Sequence, residues 1–371
     1  MPVRRLTLFL LLGARAAWGH SVSNELSLGL SEDSPASPHG PHIADQLTFR
    51  FELGDDWTLK IGGAYTYDTA TGPPEGGAFG TSSAQILTAL AGLEWEVSPR
   101  VTTYLDVSGS PRATQSFDSI LPVEVGGFTV PVDVLLFNAT SSVGVLGGAT
   151  FVAGGTEFMG TVLQGTAIDV NVGWTLLTTS QRVDAIVDRN QQPVSRQVLQ
   201  AICRALPDSK GCKAIRPYLK GGEDSLNQVS LSLGLLQPLG STTDLGLGGA
   251  YYLYDQDPTS AVFFTARASS SAFDPSASFP LAPLRWTVSP SLQQRIGSWT
   301  LAPSYQFIDY AEGLGTAHVA ALRVSLRIDG SWTVWVSGSA QWDLLSDPTT
   351  DTGTTTLVLS GRVALGFRAR F

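Results

Sequence analysis

The chain has 371 residues, and its charged fraction of 15% is well under the roughly 25% of an ordinary soluble domain. With 23 Lys and Arg against 32 Asp and Glu it carries a formal charge of −9, a poor balance for binding nucleic acid. Its only long apolar run, residues 6–12, is far shorter than the roughly 20 residues of a spanning helix; with 39 glycines and a mean hydropathy of +0.11, much of the surface is still expected to face something other than water.

The first element reads as an export signal. Arg4 and Arg5 supply the positive end, Leu6 to Leu12 the apolar core, and Ala17-Trp18-Gly19 a small-x-small cleavage site. Residues 1–19 are therefore predicted to be a signal peptide and residues 20–371 one exported domain. Removing the three arginines of that segment leaves 20 basic and 32 acidic residues, a charge of −12.

From there one theme repeats: about ten residues of apolar and polar alternation, then a turn. A period of two puts alternate side chains on opposite faces of a strand, so one face is greasy and the other wet. Leu47, Phe49, Phe51 and Leu53 alternate with Gln46, Thr48, Arg50 and Glu52; Leu357, Leu359, Gly361, Val363, Leu365 and Phe367 alternate with Ser360, Arg362, Ala364, Gly366, Arg368 and Arg370. Strands are predicted at 21–30, 42–53, 57–67, 84–97, 101–110, 141–153, 160–178, 227–237, 244–254, 284–296, 299–309, 316–328, 332–342 and 355–371. That makes about fourteen, within a range of twelve to eighteen. Residues 111–139, with an apolar run from Val130 to Phe137, are left as an extra strand or a loop folded into the mouth.

The connections alternate in length. Short turns such as Gly54-Asp55-Asp56, Ser98-Pro99-Arg100, Gly297-Ser298 and Asp329-Gly330-Ser331 take turns with long polar links such as 68–83 and 255–283. Short periplasmic turns and long external loops are the habit of transmembrane barrels. Three short turns lead into a tryptophan, Trp57, Trp299 and Trp332, an arrangement that suits an interfacial aromatic belt. Tyr65, Tyr67, Tyr305, Phe307 and Trp342 would form a second girdle at the opposite strand ends.

One stretch breaks the theme. Residues 179–222 are predicted as an external insertion in which Val198, Leu199, Ile202 and Leu206 share a helical face, followed by a disulfide between Cys203 and Cys212. With no His nearby and no further Cys, a metal site is not indicated there.

If the apolar phase faces lipid, the polar phase lines a lumen. Arg285, Arg295, Arg323, Arg327, Arg362, Arg368 and Arg370 fall on that phase and predict a basic wall that favours anions, while Glu52, Glu94, Asp106 and Asp169 gather in the first half. Tyr104, Tyr252, Tyr254 and Trp335 fall on the same phase as rings on which a sugar could stack. The four histidines, His20, His39, His42 and His318, have no nucleophile at a catalytic spacing, and no phosphate loop or calcium loop occurs. No enzyme activity, cofactor or metal is expected.

The terminal Phe371, in register with Phe367, Leu365 and Val363, resembles the closing strand of bacterial outer-membrane β-barrels of the porin-like class; Ala369 departs from the pattern where an aromatic is often found. That resemblance implies an antiparallel up-and-down transmembrane barrel inserted in the outer membrane by the barrel-assembly machinery. The expected function is passive passage of small hydrophilic solutes, anionic or saccharide in character. Two alternatives stand beside it: an export barrel for an acidic polysaccharide working with a periplasmic partner, and a plugged structural or adhesive surface barrel.

Overall fold

The computed structural model describes residues 20–33, 40–70, 82–125, 128–154, 156–158, 161–163, 165–187, 195–207, 212, 222–258, 283–346 and 355–371. The predicted signal at 1–19 lies outside them. The strands are β1 (Ser21–Asp33), β2 (Gly40–Leu53), β3 (Trp57–Ala70), β4 (Ser82–Ser98), β5 (Val101–Val125), β6 (Phe128–Val152), β7 (Thr156–Phe158), β8 (Thr161–Leu163) and β9 (Ala167–Val187). After helix α1 (Arg196–Ala205) come β10 (Gly222–Leu239), β11 (Thr243–Tyr254), β12 (Leu284–Ile296), β13 (Trp299–Tyr310), β14 (Gly315–Arg327), β15 (Trp332–Ser346) and β16 (Thr355–Arg370).

Fourteen of these strands, all but β7 and β8, pair with their sequence neighbours and close into a barrel where β1 meets β16. The closing ladder runs antiparallel from Ser21 opposite Arg370 to Asp33 opposite Val358, and the Phe371 N–H donates to the His20 carbonyl at 2.7 Å. Closure leaves no open sheet edge in the wall, which hydrocarbon demands because no water is there to satisfy the free backbone groups. Every barrel strand has at least 12 residues, enough for a tilted strand to cross a bilayer.

The alternation decides which face is which. On β16, Val363 and Leu365 are 55% and 61% exposed while Ala364 between them is 3% exposed. Leu231, Leu233 and Leu235 on β10, and Leu245, Leu247 and Tyr251 on β11, are exposed in the same phase. A continuous apolar exterior of this extent needs a non-aqueous neighbour. No helix among the described residues is long and apolar enough to cross a membrane.

At the inner end the turns are tight. Gly54, Gly240 and Gly297 hold positive φ at +79°, +73° and +61°, a conformation that side chains bearing a Cβ rarely adopt. In the turn before β15, the Asp329 carboxylate accepts the Ser331 and Trp332 N–H groups, both at 2.7 Å, and so sets where Trp332 enters the wall.

Four expectations change. Residues 111–125 and 128–139 are neither an extra strand nor a folded-in loop: they prolong β5 and β6, which pair as far as Val125 opposite Phe128. The strand predicted at 160–178 starts later, at Ala167, with 161–163 in the separate β7–β8 hairpin. Gly165 explains the break, because a Cβ there would stand 2.2 Å from the Ala153 carbonyl oxygen, where the chain ends converge and the Ala153 N–H donates to the Thr166 carbonyl at 2.9 Å. Since β9 continues to Val187, the external insertion between β9 and β10 spans only 188–221. Within it, Cys203 and Cys212 are bonded, as expected, but α1 buries Leu199 and Cys203 and leaves Val198 and Leu206 exposed, so its inner face is turned from the one predicted.

The β12–β13 seam is the thinnest in the wall. Its register runs through Val288 opposite Phe307, Ser291 opposite Ser304 and Gln294 opposite Leu301, and the ladder drops out between these pairs. Continuing that register sets Pro290 opposite Tyr305 and Pro303 opposite Leu292. Each proline lacks the N–H that would close its pair.

Candidate functional site: the barrel lumen

The inward phase encloses a cavity of about 710 Å³. It extends from Thr102, Asp244 and Gln293 near the short turns up to Tyr252, Leu284 and Val319. Five carboxylates line it, Glu25, Glu94, Asp106, Asp169 and Asp244, against three cations, Lys60, Arg323 and Arg362.

On one side the charges neutralise one another. Lys60, from β3, lies 2.8 Å from Glu94 and 3.6 Å from Asp106, on β4 and β5, and Arg50 reaches Glu94 at 2.6 Å. Arg323 of β14 pairs with Glu25 of β1, across the two intervening strands. The Trp335 indole N–H donates to the same Glu25 carboxylate at 3.0 Å, and the Arg323 guanidinium sits 4.9 Å from the ring centroid. Gly366 makes this possible: it lies opposite Trp335 in the ladder, and a Cβ there would be 2.3 Å from the indole.

The adjoining stretch of wall, β5, β6 and β9, is built differently. Asp169, on β9, accepts hydrogen bonds from the Tyr104 hydroxyl at 3.0 Å, the Thr150 hydroxyl at 2.8 Å and the Asn171 amide at 2.9 Å. All three donors are neutral, and among the described residues no cation forms an ion pair with Asp169. Tyr104 lies flat over Gly148, its ladder partner, where a Cβ would come within 2.5 Å of the ring. Two inward glycines thus seat the two aromatic rings that hold lumen carboxylates.

Above the cavity the lumen is packed. Ile308, Tyr310, Ala317 and Val319 point inward at the outer ends of β13 and β14, yet expose 2% or less of their surface, and Leu284 and Leu314 pack on them. Leu177 and Leu226 form a second buried cluster with Tyr254. Buried polar groups between them are paired: Thr140 with Thr179 at 3.0 Å, the Gln228 amide to the Tyr254 hydroxyl at 3.3 Å, the Tyr254 hydroxyl to the Leu284 carbonyl at 2.8 Å, and Tyr310 to Asp343.

The predicted site residues therefore separate into groups. Arg323 and Arg362 line the cavity, with Tyr104 and Tyr252. Tyr254 belongs to the packed tier, and Trp335 serves the Glu25 pair. Arg295, Arg327, Arg368 and Arg370 stand at the inner ends of their strands, Arg295 on Asp244 at 2.6 Å and Arg370 on Glu52 at 3.2 Å. Arg285 is at the outer end of β12, 3.7 Å from Asp309. Trp57, Trp299 and Trp332 are each the first residue of their strand and exposed on the outer face, with Trp57 stacked on Trp95. At the far end a row of outer-face rings joins Trp286, Phe307, His318 and Trp342. Among the described residues no cluster could hold a metal ion.

Sequence reasoning missed Glu25, Lys60 and Asp244 as cavity residues, although the alternation already places Lys60 on the wet face. It also missed Gly148 and Gly366, whose role depends on a ring from the neighbouring strand. Pairing register would have found them, and a single strand does not carry it.

No protein-family model matches the sequence, and no curated protein does. Solved structures do resemble it in shape. A FadL homologue of Pseudomonas aeruginosa superposes with a TM-score of 0.58 at 10% identity, covering 95% of this chain and 89% of that one. The monoaromatic hydrocarbon channel CymD gives 0.57 at 10% identity, covering 96% and 90%, and the toluene transporter TodX of P. putida gives 0.55 at 10%, covering 96% and 91%. At such identities the likeness is one of architecture, and it agrees with the closed, greasy-sided wall: the fold of this chain is that of the bacterial outer-membrane β-barrels.

Proposed function

We propose that the protein is an outer-membrane channel that lets small polar solutes pass down their gradient. The observation that carries this reading is the cavity of about 710 Å³, in which carboxylates and cations from eight strands face a common space. Burying so many charges against a lumen that held no water or polar solute would cost several kcal/mol per ion. The architectural neighbours are named for toluene and monoaromatic hydrocarbons. Apolar cargo of that kind would meet apolar lining such as Leu146 and Ala250, but with eight charged groups facing the same space.

Four of the five carboxylates are ion-paired, Arg50 and Arg295 joining Lys60 and Arg323 in those pairs, and Asp169 is not, so its field favours cations beside it, where the inward arginines alone had pointed to anions. Four of those arginines are at the inner rim, two of them in ion pairs there, so they form a basic collar and not the wall of the narrow region. The packed outer tier must move for a solute to pass, and conductance is expected as brief openings.

The test is the purified protein in planar bilayers, with conductance and reversal potential recorded across a potassium chloride gradient. Openings with a cation-signed reversal potential support the channel. Silent bilayers containing correctly folded protein would overturn it and favour the plugged structural barrel, which the packed tier also suits.

A further inference from the structure

The cavity holds one carboxylate whose charge nothing described balances. Asp169 is gripped by Tyr104, Thr150 and Asn171, three neutral donors that occupy both its oxygens and fix its orientation. The aspartate remains partly open to the lumen. Hydrogen bonds from neutral groups hold an anion in place without cancelling its field, and that field is strong inside a low-dielectric wall.

Beside it are acceptors with no donor. Asn171 is 6% exposed and lines the cavity; its amide nitrogen is committed to Asp169, and its Oδ1 has no hydrogen-bond partner. Ser232, directly opposite Asn171 in the β9–β10 ladder, also lines the cavity, and its hydroxyl has no partner either. A buried polar atom without a partner costs about 1–3 kcal/mol unless something supplies one. What fits is a group that brings positive charge and several N–H donors together.

We infer that Asp169, the Asn171 Oδ1 and the Ser232 hydroxyl form a subsite for the ammonium group of a small organic amine. An R–NH₃⁺ group carries three donors and one charge, matching one carboxylate and two neutral acceptors on the same wall. A quaternary ammonium has the charge and no donor; a neutral polyol has donors and no charge. The inference rests on the channel reading, because the amine is taken as the solute that pauses on its way through.

The experiment uses the full exported chain in planar bilayers, with butylammonium, tetramethylammonium and glycerol as blockers of single-channel current. Butylammonium is expected to block at concentrations roughly tenfold or more below tetramethylammonium, as loss of charge-assisted hydrogen bonds implies, and glycerol is expected not to block. In Asp169→Asn, shown to be folded by its heat-modifiable gel mobility, the advantage of butylammonium is expected to disappear. Equal block by the two cations in the native protein would overturn the subsite while leaving the channel standing, and needs no variant. Should the bilayers be silent, the channel reading fails, and calorimetric titration of butylammonium into the native protein and Asp169→Asn in detergent decides the subsite: heat of binding only in the native protein supports it, and none in either overturns it.

Discussion

Replacing Gly148 by alanine tests the lumen architecture through a single methyl group. An added Cβ would lie 2.5 Å from the Tyr104 Cζ, 2.6 Å from its hydroxyl oxygen and 2.7 Å from the Asn171 Cβ. Ordinary carbon contacts are about 3.5–4 Å, so the ring must retreat by about 1 Å. Such a shift carries the hydroxyl, now 3.0–3.1 Å from the Asp169 oxygens, beyond hydrogen-bond reach. A lost bond to a charged group costs about 1.5–3 kcal/mol and overpacking about 1–3 kcal/mol. Against this, alanine restricts the unfolded chain and returns about 0.4–1 kcal/mol. A net destabilisation of about 3 kcal/mol is expected, read from urea unfolding in lipid vesicles. The control is Gly338→Ala on the outer face, where the nearest atom to the new Cβ is 3.9 Å away. Equal midpoints for the two variants would refute the claim that Gly148 seats the ring.

Three further outcomes are expected. Trp335→Phe keeps a ring over Gly366 and deletes the indole donor to Glu25; freed of one donor, the carboxylate should shift the reversal potential further toward cations, and a shift toward anions would contradict the pairing. Reduction of Cys203–Cys212 closes no long loop, the two being nine residues apart, so the unfolding midpoint of the barrel should hold while protease cleavage within 195–207 increases; a large fall in the midpoint would mean that the insertion supports the wall. Pro303→Ala restores a donor opposite the Leu292 carbonyl at the β12–β13 seam, worth about 1 kcal/mol, and amide exchange along that seam should slow. Faster exchange there would show that the prolines do not thin the ladder.

Much of the fold was legible because the physics that sets it is local. A period of two and a short-then-long rhythm of connections are properties of ten-residue windows, and the strand count of fourteen followed from them. Boundaries failed where a longer-range contact decides them: Gly165 starts β9 late because it meets Ala153 across a reversal, and β5 and β6 run on because they have each other as partners. Lumen chemistry was the least legible. Arg323 looks like a free cation in sequence and becomes half of a pair only when barrel closure brings Glu25, 298 residues away, beside it. Asp169 looks like any acid until Tyr104, Thr150 and Asn171 are assembled around it.

Lipid solvates one face of each barrel strand and the lumen lies against the other. A nitroxide scan of single cysteines along β15, from Val334 to Gln341, in vesicles tests it directly. The account predicts that Val334, Val336, Gly338 and Ala340 collide with dissolved oxygen from the bilayer, while Trp335, Ser337, Ser339 and Gln341 are shielded from it, in strict alternation. Uniform accessibility along the strand, or quenching of Val336 and Ala340 by a water-soluble nickel chelate, would contradict it.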